Sequence, residues 1–327
     1  MHQISWNKES LVFGKIPKLE INESKDRMEY FSVVQIEKDQ FEPTIMNSLN
    51  LHDNRRLYNG NLLLAQCVAA AEKTVNSAKK LHYIQSFYSD YVDLNAKLIL
   101  KVIRDIDTDE LSRRTVTALQ EELSIACFHM LFCKETQTDL HYLEMSFPST
   151  SNACTDFSSP SSSNESLYKL ENDLCYESPS KIVPIMLAPD DIFEIQRVHK
   201  ITTNSLSCIK SVPTSYHFVR ARKICDSNEL LHRYLLLMIA DIPLLTLPLK
   251  YHCIRYFGTD IIEPLESNIW LHLNDCRADK WMLFEHESTI LDDGKAFTRC
   301  RLWTLDGRLI LSGDKEVVIM KKLPKKK

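Results

Sequence analysis

Two long apolar segments divide the chain, and each is followed by shorter stretches in which apolar and polar side chains alternate. The first segment covers residues 61–75 (NLLLAQCVAAAEKTV) and the second covers residues 229–242 (ELLHRYLLLMIADI). Both are long enough and apolar enough to form helices buried in a core. Alternation with a period of two is typical of strands that turn one face to the core. The pattern therefore predicts two helices, each followed by a set of strands.

The alternating stretches occur in the same order after each helix, separated by turn sequences such as DIDTDE, ILDDGK and LDGR. They are residues 82–89, 97–107, 112–122 and 124–132 after the first helix, and residues 267–274, 280–288, 296–307 and 308–320 after the second. Short turns between neighbouring strands are typical of antiparallel hairpins. Arg114 and Arg299 mark matching positions of the two copies. We therefore predict an α+β fold made by internal duplication, a double hot-dog, in which each unit wraps a curved antiparallel sheet around one helix.

A serine-rich stretch separates the two copies. Residues 146–166 contain nine serines and two prolines. A segment of this composition cannot bury enough apolar surface to offset the entropy lost on ordering, so we predict that it is irregular and exposed. The expected organisation is an N-terminal hot-dog domain over residues 1–135, a linker over residues 136–180 and a C-terminal hot-dog domain over residues 181–327.

Composition and charge exclude several classes of function. The net charge is −4 and the isoelectric point is about 6.3, which argues against a general nucleic-acid binder. The ten cysteines form no Cys-x-x-Cys pair, and neither they nor the histidines show the spacing of zinc ligands. The longest apolar run, residues 234–249, is shorter than the ~20 residues of a membrane span and is broken by two prolines. Scattered thiols without a signal peptide favour a reducing compartment inside the cell.

One carboxylate, Asp241, lies within the second apolar segment. A buried unpaired charge is costly, so such a group finds partners, takes up a proton or lies at the surface. On pattern alone, two interpretations stay open: a surface-facing residue near a helix end, or a catalytic acid or base whose surroundings tune its pKa.

Several separate segments, in order and spacing, resemble the acyl-CoA thioesterase II family, which includes peroxisomal and bacterial enzymes. They are AQCVAAAEKTV followed by HYIQSFY in the first half, then FVRARK, LLHRYLLLMIAD and CRADKWMLFEHES with AFTRCRLWTLDGRLILS in the second. The resemblance implies a double hot-dog fold and the hydrolysis of fatty acyl-CoA to free fatty acid and coenzyme A. It implies neither a cofactor, nor a metal ion, nor a covalent intermediate.

In this family a helix-borne Asp, a Thr or Ser before an aromatic strand, and a Gln near the carboxyl end position the attacking water. The resemblance places Asp241 on the family's Asp. It places Pro264 on the Thr or Ser position and Lys315 on the Gln position. Pro264 has neither a hydroxyl nor an N–H, and it is expected to be inactive, although a shift of one or two residues in the match would bring Glu263 or Ser267 near this position. An ammonium at Lys315 can still donate a hydrogen bond, but beside Asp241 it would lower the pKa of that acid and weaken it as a base.

The start of the first helix also departs from the family. The family reads Gly-Gly-Gln there, whereas this chain reads Gly60-Asn61-Leu62. The resemblance assigns substrate binding to Gly60, Asn61 and Gln66.

Two functions remain open at this point. The first is an acyl-CoA thioesterase in which Asp241 assists the attack of water. The second is a catalytically weakened or inactive relative that binds acyl-CoA or a partner thioesterase subunit. In both cases the expected ligand is a fatty acyl-CoA, with no nucleic acid and no membrane span, and assembly into a homo-oligomer is compatible with either.

Two compartments are likewise open. A carboxyl-terminal Ser-Lys-Leu type tripeptide directs proteins to peroxisomes, but the chain reads Lys325-Lys326-Lys327. The expected location is therefore cytoplasmic or peroxisomal.

Overall fold

The computed structural model describes residues 27–44, 60–89, 93, 96–135, 193–197, 214–222, 228–240 and 259–321. A short 3-10 helix, Arg27–Phe31, precedes the first regular elements. The elements of the first half are β1 (Val33–Glu37), β2 (Gln40–Pro43), α1 (Gly60–Glu72), β3 (Lys79–Tyr88), β4 (Ile99–Asp107), β5 (Leu111–Gln120) and β6 (Leu123–Lys134). Those of the second half are β7 (Phe193–Arg197), β8 (Thr214–Ala221), α2 (Glu229–Ala240), β9 (Thr259–Leu271), β10 (Met282–Asp292), β11 (Lys295–Thr304) and β12 (Leu309–Lys321).

All the described strands belong to one antiparallel sheet of twelve strands. Their order is β1-β2-β4-β5-β6-β3-β9-β12-β11-β10-β8-β7. The order on one side of the β3–β9 pair repeats on the other side, strand for strand, so the two halves are related by a pseudo-twofold axis between β3 and β9. Each half carries one long helix. The prediction of an α+β double hot-dog fold is confirmed.

The predicted elements agree with the structure in type and differ at their ends. The first helix ends at Glu72 rather than at residue 75, and the last two residues predicted for the second helix lie outside the described residues. The predicted linker, residues 136–180, also lies outside them, so the three-part division of the chain stays a prediction. Strands β1, β2 and β7 were missed because four or five residues are too few to establish an alternation.

Strand β9 begins eight residues earlier than the stretch predicted from residue 267. Pro264 lies inside it, and a proline normally argues against a strand interior because it cannot donate to the ladder. Here Pro264 pairs with Val317 directly beside a bulge, since Glu266 pairs with Glu316 and Leu265 has no partner in the register. A bulge is one of the few places where a strand tolerates proline.

The β3–β9 pairing is the seam between the two halves. It runs from Tyr83 opposite Trp270 to Phe87 opposite Glu266. On the outer face, the Tyr83 hydroxyl donates to Asn268 Oδ1 over 2.7 Å, and Asn268 Nδ2 donates to Asp314 Oδ1 over 2.9 Å. The rings of Tyr83 and Trp270 lie 5.1 Å apart between centroids. Side-chain contacts therefore connect three adjacent strands across the seam.

The two helices pack against each other on the inner face of the sheet. Both Arg233 and the Tyr234 hydroxyl of α2 donate to the carboxylate of Glu72, the last residue of α1, the hydroxyl over 2.5 Å. Burial, together with the nearby Glu72 carboxylate, raises the pKa of the Tyr234 phenol. Among the described parts of the chain, no helix combines the length and the hydropathy that crossing a membrane requires.

Arg114 and Arg299 do not occupy matching positions, contrary to the sequence prediction. Ile84 pairs with Ile269 at the seam, and stepping outward from this pair leads to Arg114 in one half and to Cys300 in the other. A shift of one residue moves a side chain to the opposite face of a sheet. Arg114 accordingly points inward and is 1% exposed, whereas Arg299 lies on the outer face and is exposed.

Arg114 fixes the loop after α1 to the sheet. Its guanidinium donates to Thr74 Oγ1 over 2.8 Å, to the Thr74 carbonyl over 2.9 Å and to Asp107 Oδ1 over 2.8 Å. The Asp107 side chain is 49% exposed, so the ion pair itself contributes little to stability. The hydrogen bonds to buried Thr74 contribute more to stability, because the oxygens of Thr74 would otherwise be buried without this donor.

We predict that Arg114→Leu lowers the free energy of unfolding by about 2–3 kcal/mol, the range expected when hydrogen bonds from a charged donor to buried oxygens are lost. Urea denaturation followed by circular dichroism measures the change. Arg113→Leu is the matched control, because Arg113 is exposed on the same strand, and it should stay within about 0.5 kcal/mol of wild type. Equal effects of the two substitutions would contradict this account of Arg114.

Candidate functional site

A row of polar side chains crosses the sheet from the seam into the C-terminal half. Ser86 on β3 pairs with Ser267 on β9, and Ser267 pairs in turn with Lys315 on β12. Lys315 pairs with Thr298 on β11, which pairs with Ser288 on β10. Residues directly opposite each other in antiparallel strands point to the same face. We call these five residues the polar row.

The polar row lies on the face that carries the helices. Cys300, two residues along β11 from Thr298, contacts the carbonyl of Ala240 with its Sγ at 3.9 Å. Ala240 is the last residue of α2. The polar row therefore runs beneath the end of α2, immediately before Asp241 in the chain. In the other direction Ser86 pairs with Phe128, a fully buried core residue, so the row becomes apolar in the N-terminal half.

Three hydroxyls of this row are buried and have no hydrogen-bond partner among the described residues. They belong to Ser86, Ser267 and Ser288, which are 0%, 2% and 0% exposed. The Nδ1 atom of His286, two residues before Ser288 on β10, is likewise buried without a partner in the described part of the chain. Most buried polar atoms in folded proteins have a partner, so a group of such exceptions on one face marks a candidate binding site.

In the N-terminal half, the guanidinium of buried Arg114 is satisfied by Thr74 and Asp107. Ser112, beside it, donates to Asp107 Oδ1 over 2.6 Å. Arg114 and Ser112 are therefore bonded within the protein. The hydroxyls of Ser86, Ser267 and Ser288 differ, since they have no partner among the described residues, and they make the polar row the candidate site.

His286 has a strongly lowered pKa. Burial, followed by the charges of His217 and Lys315, lowers the pKa of the imidazole to about 3. The ring of Phe284 stacks with it at a centroid distance of 6.3 Å. His286 is therefore neutral over the whole physiological range of pH, where it can bind water or a carbonyl but is too weak a base to accept a proton.

The structure brings two of the three predicted catalytic positions to this face. Lys315 belongs to the polar row, directly opposite Ser267, and its charge reaches His286. Pro264 pairs with Val317, two residues from Lys315 on β12, so it lies on the same face through the bulge. Asp241 lies outside the described residues and follows Ala240 directly. The catalytic roles of all three stay predictions.

The predicted substrate-binding residues belong to the first turns of α1. Gly60 begins the helix and Asn61 follows it, and the side chain of Asn61 lies outside the described part of the chain. Gln66 is fully buried, and its Nε2 donates to the carbonyl of Tyr30 over 2.8 Å, which holds the 3-10 helix against α1. This contact gives Gln66 a structural role, and substrate binding by these residues stays a prediction.

The sequence analysis did not identify Ser86 at the seam, although the alternation in β3 contains a signal for it. In β3 the alternation assigns Leu81, Ile84 and Ser86 to the buried side, with a bulge after Leu81. A serine at a position that alternation assigns to the core is unexpected, and it identifies a candidate functional residue. Its pairing with Ser267 depends on the register between strands far apart in sequence, which the sequence alone does not reveal.

Gly313 lies beside the polar row, between Ile269 and Cys300 in the register. A Cβ at this position would stand 2.6 Å from the Asn268 carbonyl oxygen and 3.5 Å from Cys300 Sγ. Strands β9 and β12 therefore approach each other here more closely than any other residue would allow. Within the described ranges, no cluster of three or more His, Cys, Asp or Glu side chains is arranged to hold a metal ion.

The chain is similar to known acyl-CoA thioesterases. Residues 180–319 match the model of the acyl-CoA thioesterase C-terminal domain. The acyl-coenzyme A thioesterase 8 of Rattus norvegicus is 24% identical over 273 residues, which are 82% of this chain and 82% of the relative. The corresponding protein of Homo sapiens is 23% identical over 276 residues, with 81% of each chain covered.

Solved structures agree with this result at the level of the fold. The acyl-CoA thioesterase II TesB2 from Mycobacterium marinum superposes with a TM-score of 0.66 at 16% identity, covering 90% of this chain and 98% of that one. A protein of unknown function with a hot dog fold from Alicyclobacillus acidocaldarius gives a TM-score of 0.64 at 13% identity, with the same coverage.

The chain is thus a double hot-dog protein of the thioester hydrolase class, as predicted. The half that contains most of the polar row is the one that matches the acyl-CoA thioesterase C-terminal domain.

We predict that His286 makes the free energy of unfolding decrease in acid. An unfolded His has a pKa near ~6.5, whereas the pKa of folded His286 is about 3, so in the interval between these values only the unfolded chain binds the proton. Stability is therefore full above the unfolded value and falls as the pH decreases. Between about pH 7 and about pH 5, wild type should lose about 2 kcal/mol more than His286→Gln.

Urea midpoints at the two pH values measure this difference. His82→Gln is the control, because it makes the same substitution at an exposed position of the same sheet. If His286→Gln loses as much stability in acid as wild type does, His286 is not held neutral.

Proposed function

We propose that the chain hydrolyses fatty acyl-CoA thioesters to free fatty acid and coenzyme A at the polar row beneath the end of α2. The observation that supports this most directly is the group of buried, unpartnered hydroxyls on the helix-facing side of β3 and β9. Thioester hydrolysis needs a base for the attacking water and donors for the oxygen that becomes negative. The family match and the relatives named as acyl-coenzyme A thioesterases support the same reaction.

In this proposal Asp241 is the base. It directly follows Ala240 in the chain, and the carbonyl of Ala240 contacts Cys300 on the face that carries the polar row. Asp241 takes a proton from water, whose oxygen forms the bond to the thioester carbon. The C–S bond then breaks, and the proton passes to the departing thiolate. Lys315 donates to the carbonyl oxygen or to the water, in the place where the family has an amide.

A specific observation keeps a second function in consideration. The resemblance assigns the family's hydroxyl position to Pro264, which pairs with Val317 on the helix-facing side and offers no donor. The loss of one well-placed donor commonly reduces kcat by a factor on the order of 10²–10³. The alternative is therefore a catalytically weakened or inactive relative that binds acyl-CoA or a partner thioesterase subunit. We also propose a cytoplasmic or peroxisomal location, where fatty acyl-CoA is available, while homo-oligomer formation stays a prediction.

We predict that the wild-type protein releases coenzyme A from fatty acyl-CoA slowly but measurably, and that Asp241→Asn abolishes this activity because an amide cannot accept the proton of the water. A thiol reagent that reports free coenzyme A, applied across acyl chain lengths, measures the rate. Asp292→Asn is the control, because Asp292 is exposed at a hairpin end, and it should retain wild-type turnover.

Turnover that survives Asp241→Asn would place the chemistry elsewhere. No turnover in wild type at any chain length, combined with tight binding of acyl-CoA, would favour the binding function.

We further predict that Pro264→Thr combined with Lys315→Gln raises kcat by about 10-fold or more, because each restored donor recovers part of its usual 10²–10³ contribution. The same assay on the two single variants separates the contributions. A double variant that folds, shows a wild-type thermal midpoint and is no faster than wild type would mean that these positions do not limit the reaction.

A further inference from the structure

Ser86 and Ser267 form a pair of buried hydroxyls at the seam between the two halves. They are directly opposite each other on β3 and β9, where Cβ atoms stand ~5 Å apart. Neither hydroxyl has a hydrogen-bond partner among the described residues, so they do not bond to each other. We call these two residues the serine pair.

The serine pair has no function in holding the fold together. A buried hydroxyl without a partner destabilises a protein, and alanine of nearly the same volume would avoid that cost. Two such hydroxyls at adjacent positions are therefore best explained by a ligand or a water that both of them bind. A hydroxyl donates one hydrogen bond and accepts others, so two hydroxyls facing one space can hold a polar oxygen between them.

The serine pair lies beside the positions to which the proposed reaction is assigned. Lys315 lies directly opposite Ser267 on the other side, on β12. The bulge at Leu265 turns Ser267 and Pro264 to the same face, so Ser267 provides the hydroxyl of β9 next to the position that Pro264 leaves without a donor. Both lie on the helix-facing side, on which the last carbonyl of α2 contacts Cys300.

We propose that the serine pair donates the hydrogen bonds that orient the attacking water and stabilise the thioester oxygen, with Ser267 as the principal donor. The inference rests on the proposed thioesterase activity. It assigns the hydroxyl function of the reaction to a residue three positions along β9 from Pro264.

Ser267 acts here as a hydrogen-bond donor and not as a nucleophile. A nucleophilic serine needs a base within hydrogen-bond reach of its hydroxyl, and no described residue provides one for Ser267. The water therefore forms the new bond to the carbonyl carbon, the C–S bond breaks, and no acyl-serine is formed. Because the donors act on oxygens whose charge grows during the reaction, they affect kcat more than KM.

The test compares Ser267→Ala, Ser86→Ala and Ser267→Thr with wild type in acyl-CoA hydrolysis. We expect kcat to fall about 10-fold or more in Ser267→Ala with KM nearly unchanged, and to fall by a smaller factor in Ser86→Ala. Ser267→Thr keeps the hydroxyl and should retain most of the wild-type kcat. Binding of a non-hydrolysable acyl-CoA thioether, which lacks the carbonyl oxygen, should be unchanged in Ser267→Ala.

Ser112→Ala is the control. Ser112 is also a buried strand serine, but it lies on β5, outside the polar row, and donates to Asp107 Oδ1. Its replacement should leave kcat unchanged. Thermal midpoints complete the design, because removing an unsatisfied hydroxyl should leave the midpoint equal to wild type or higher.

Three results would overturn the proposal in distinguishable ways. Wild-type kcat in Ser267→Ala refutes the role of Ser267 and leaves the thioesterase activity standing. A fall in kcat accompanied by an equal loss in Ser112→Ala, or by a thermal midpoint of Ser267→Ala below that of wild type, shows that the Ser267 hydroxyl serves packing. A wild-type protein without turnover at any chain length refutes the proposed function and the role of Ser267 together.

Discussion

The pairing of β3 with β9 is the constraint on which the rest of this structure depends. It joins two half-sheets into one and fixes the register between strands that are far apart in the sequence. Because strand side chains alternate between faces, this register decides which residues lie under the helices and which lie outside. The Tyr83–Asn268–Asp314 contacts hold the outer side of the seam, and they leave Ser86 and Ser267 opposite each other on the inner side. A slip by one residue would exchange the two sets.

The two halves use the same architecture for different purposes. In the N-terminal half, the donors of buried Arg114 are directed at oxygens of the protein itself. In the C-terminal half, the buried hydroxyls of Ser267 and Ser288 have no partner among the described residues. One half thus gains stability from its buried polar groups. The other half gives up some stability, which is the usual condition of a functional site.

The fold was predictable from the sequence because alternation and helix length are local signals. The position of Asp241 was equally local, since one carboxylate in an apolar run is conspicuous. The serine pair was not predictable, because it is defined by pairing across the seam and not by spacing. The length of β9 was missed for a different reason: Pro264 argues against a strand, and only the bulge opposite Val317 explains its presence. The sequence analysis matched Arg114 with Arg299 because both are arginines in corresponding strands. The match is wrong, because the two side chains lie on opposite faces of the sheet.

Gly313 sets a limit on how this site can evolve. Its missing side chain lets β9 and β12 approach at the Asn268 carbonyl, two residues along β12 from Lys315. Residues such as those at 264 and 315 can be exchanged while the strands stay in place, because their side chains project from the sheet. Any side chain at 313 would instead push the two strands apart and separate Ser267 from Lys315. Positions 264 and 315 can therefore carry different side chains without a change in the backbone, whereas position 313, which carries no chemistry, cannot.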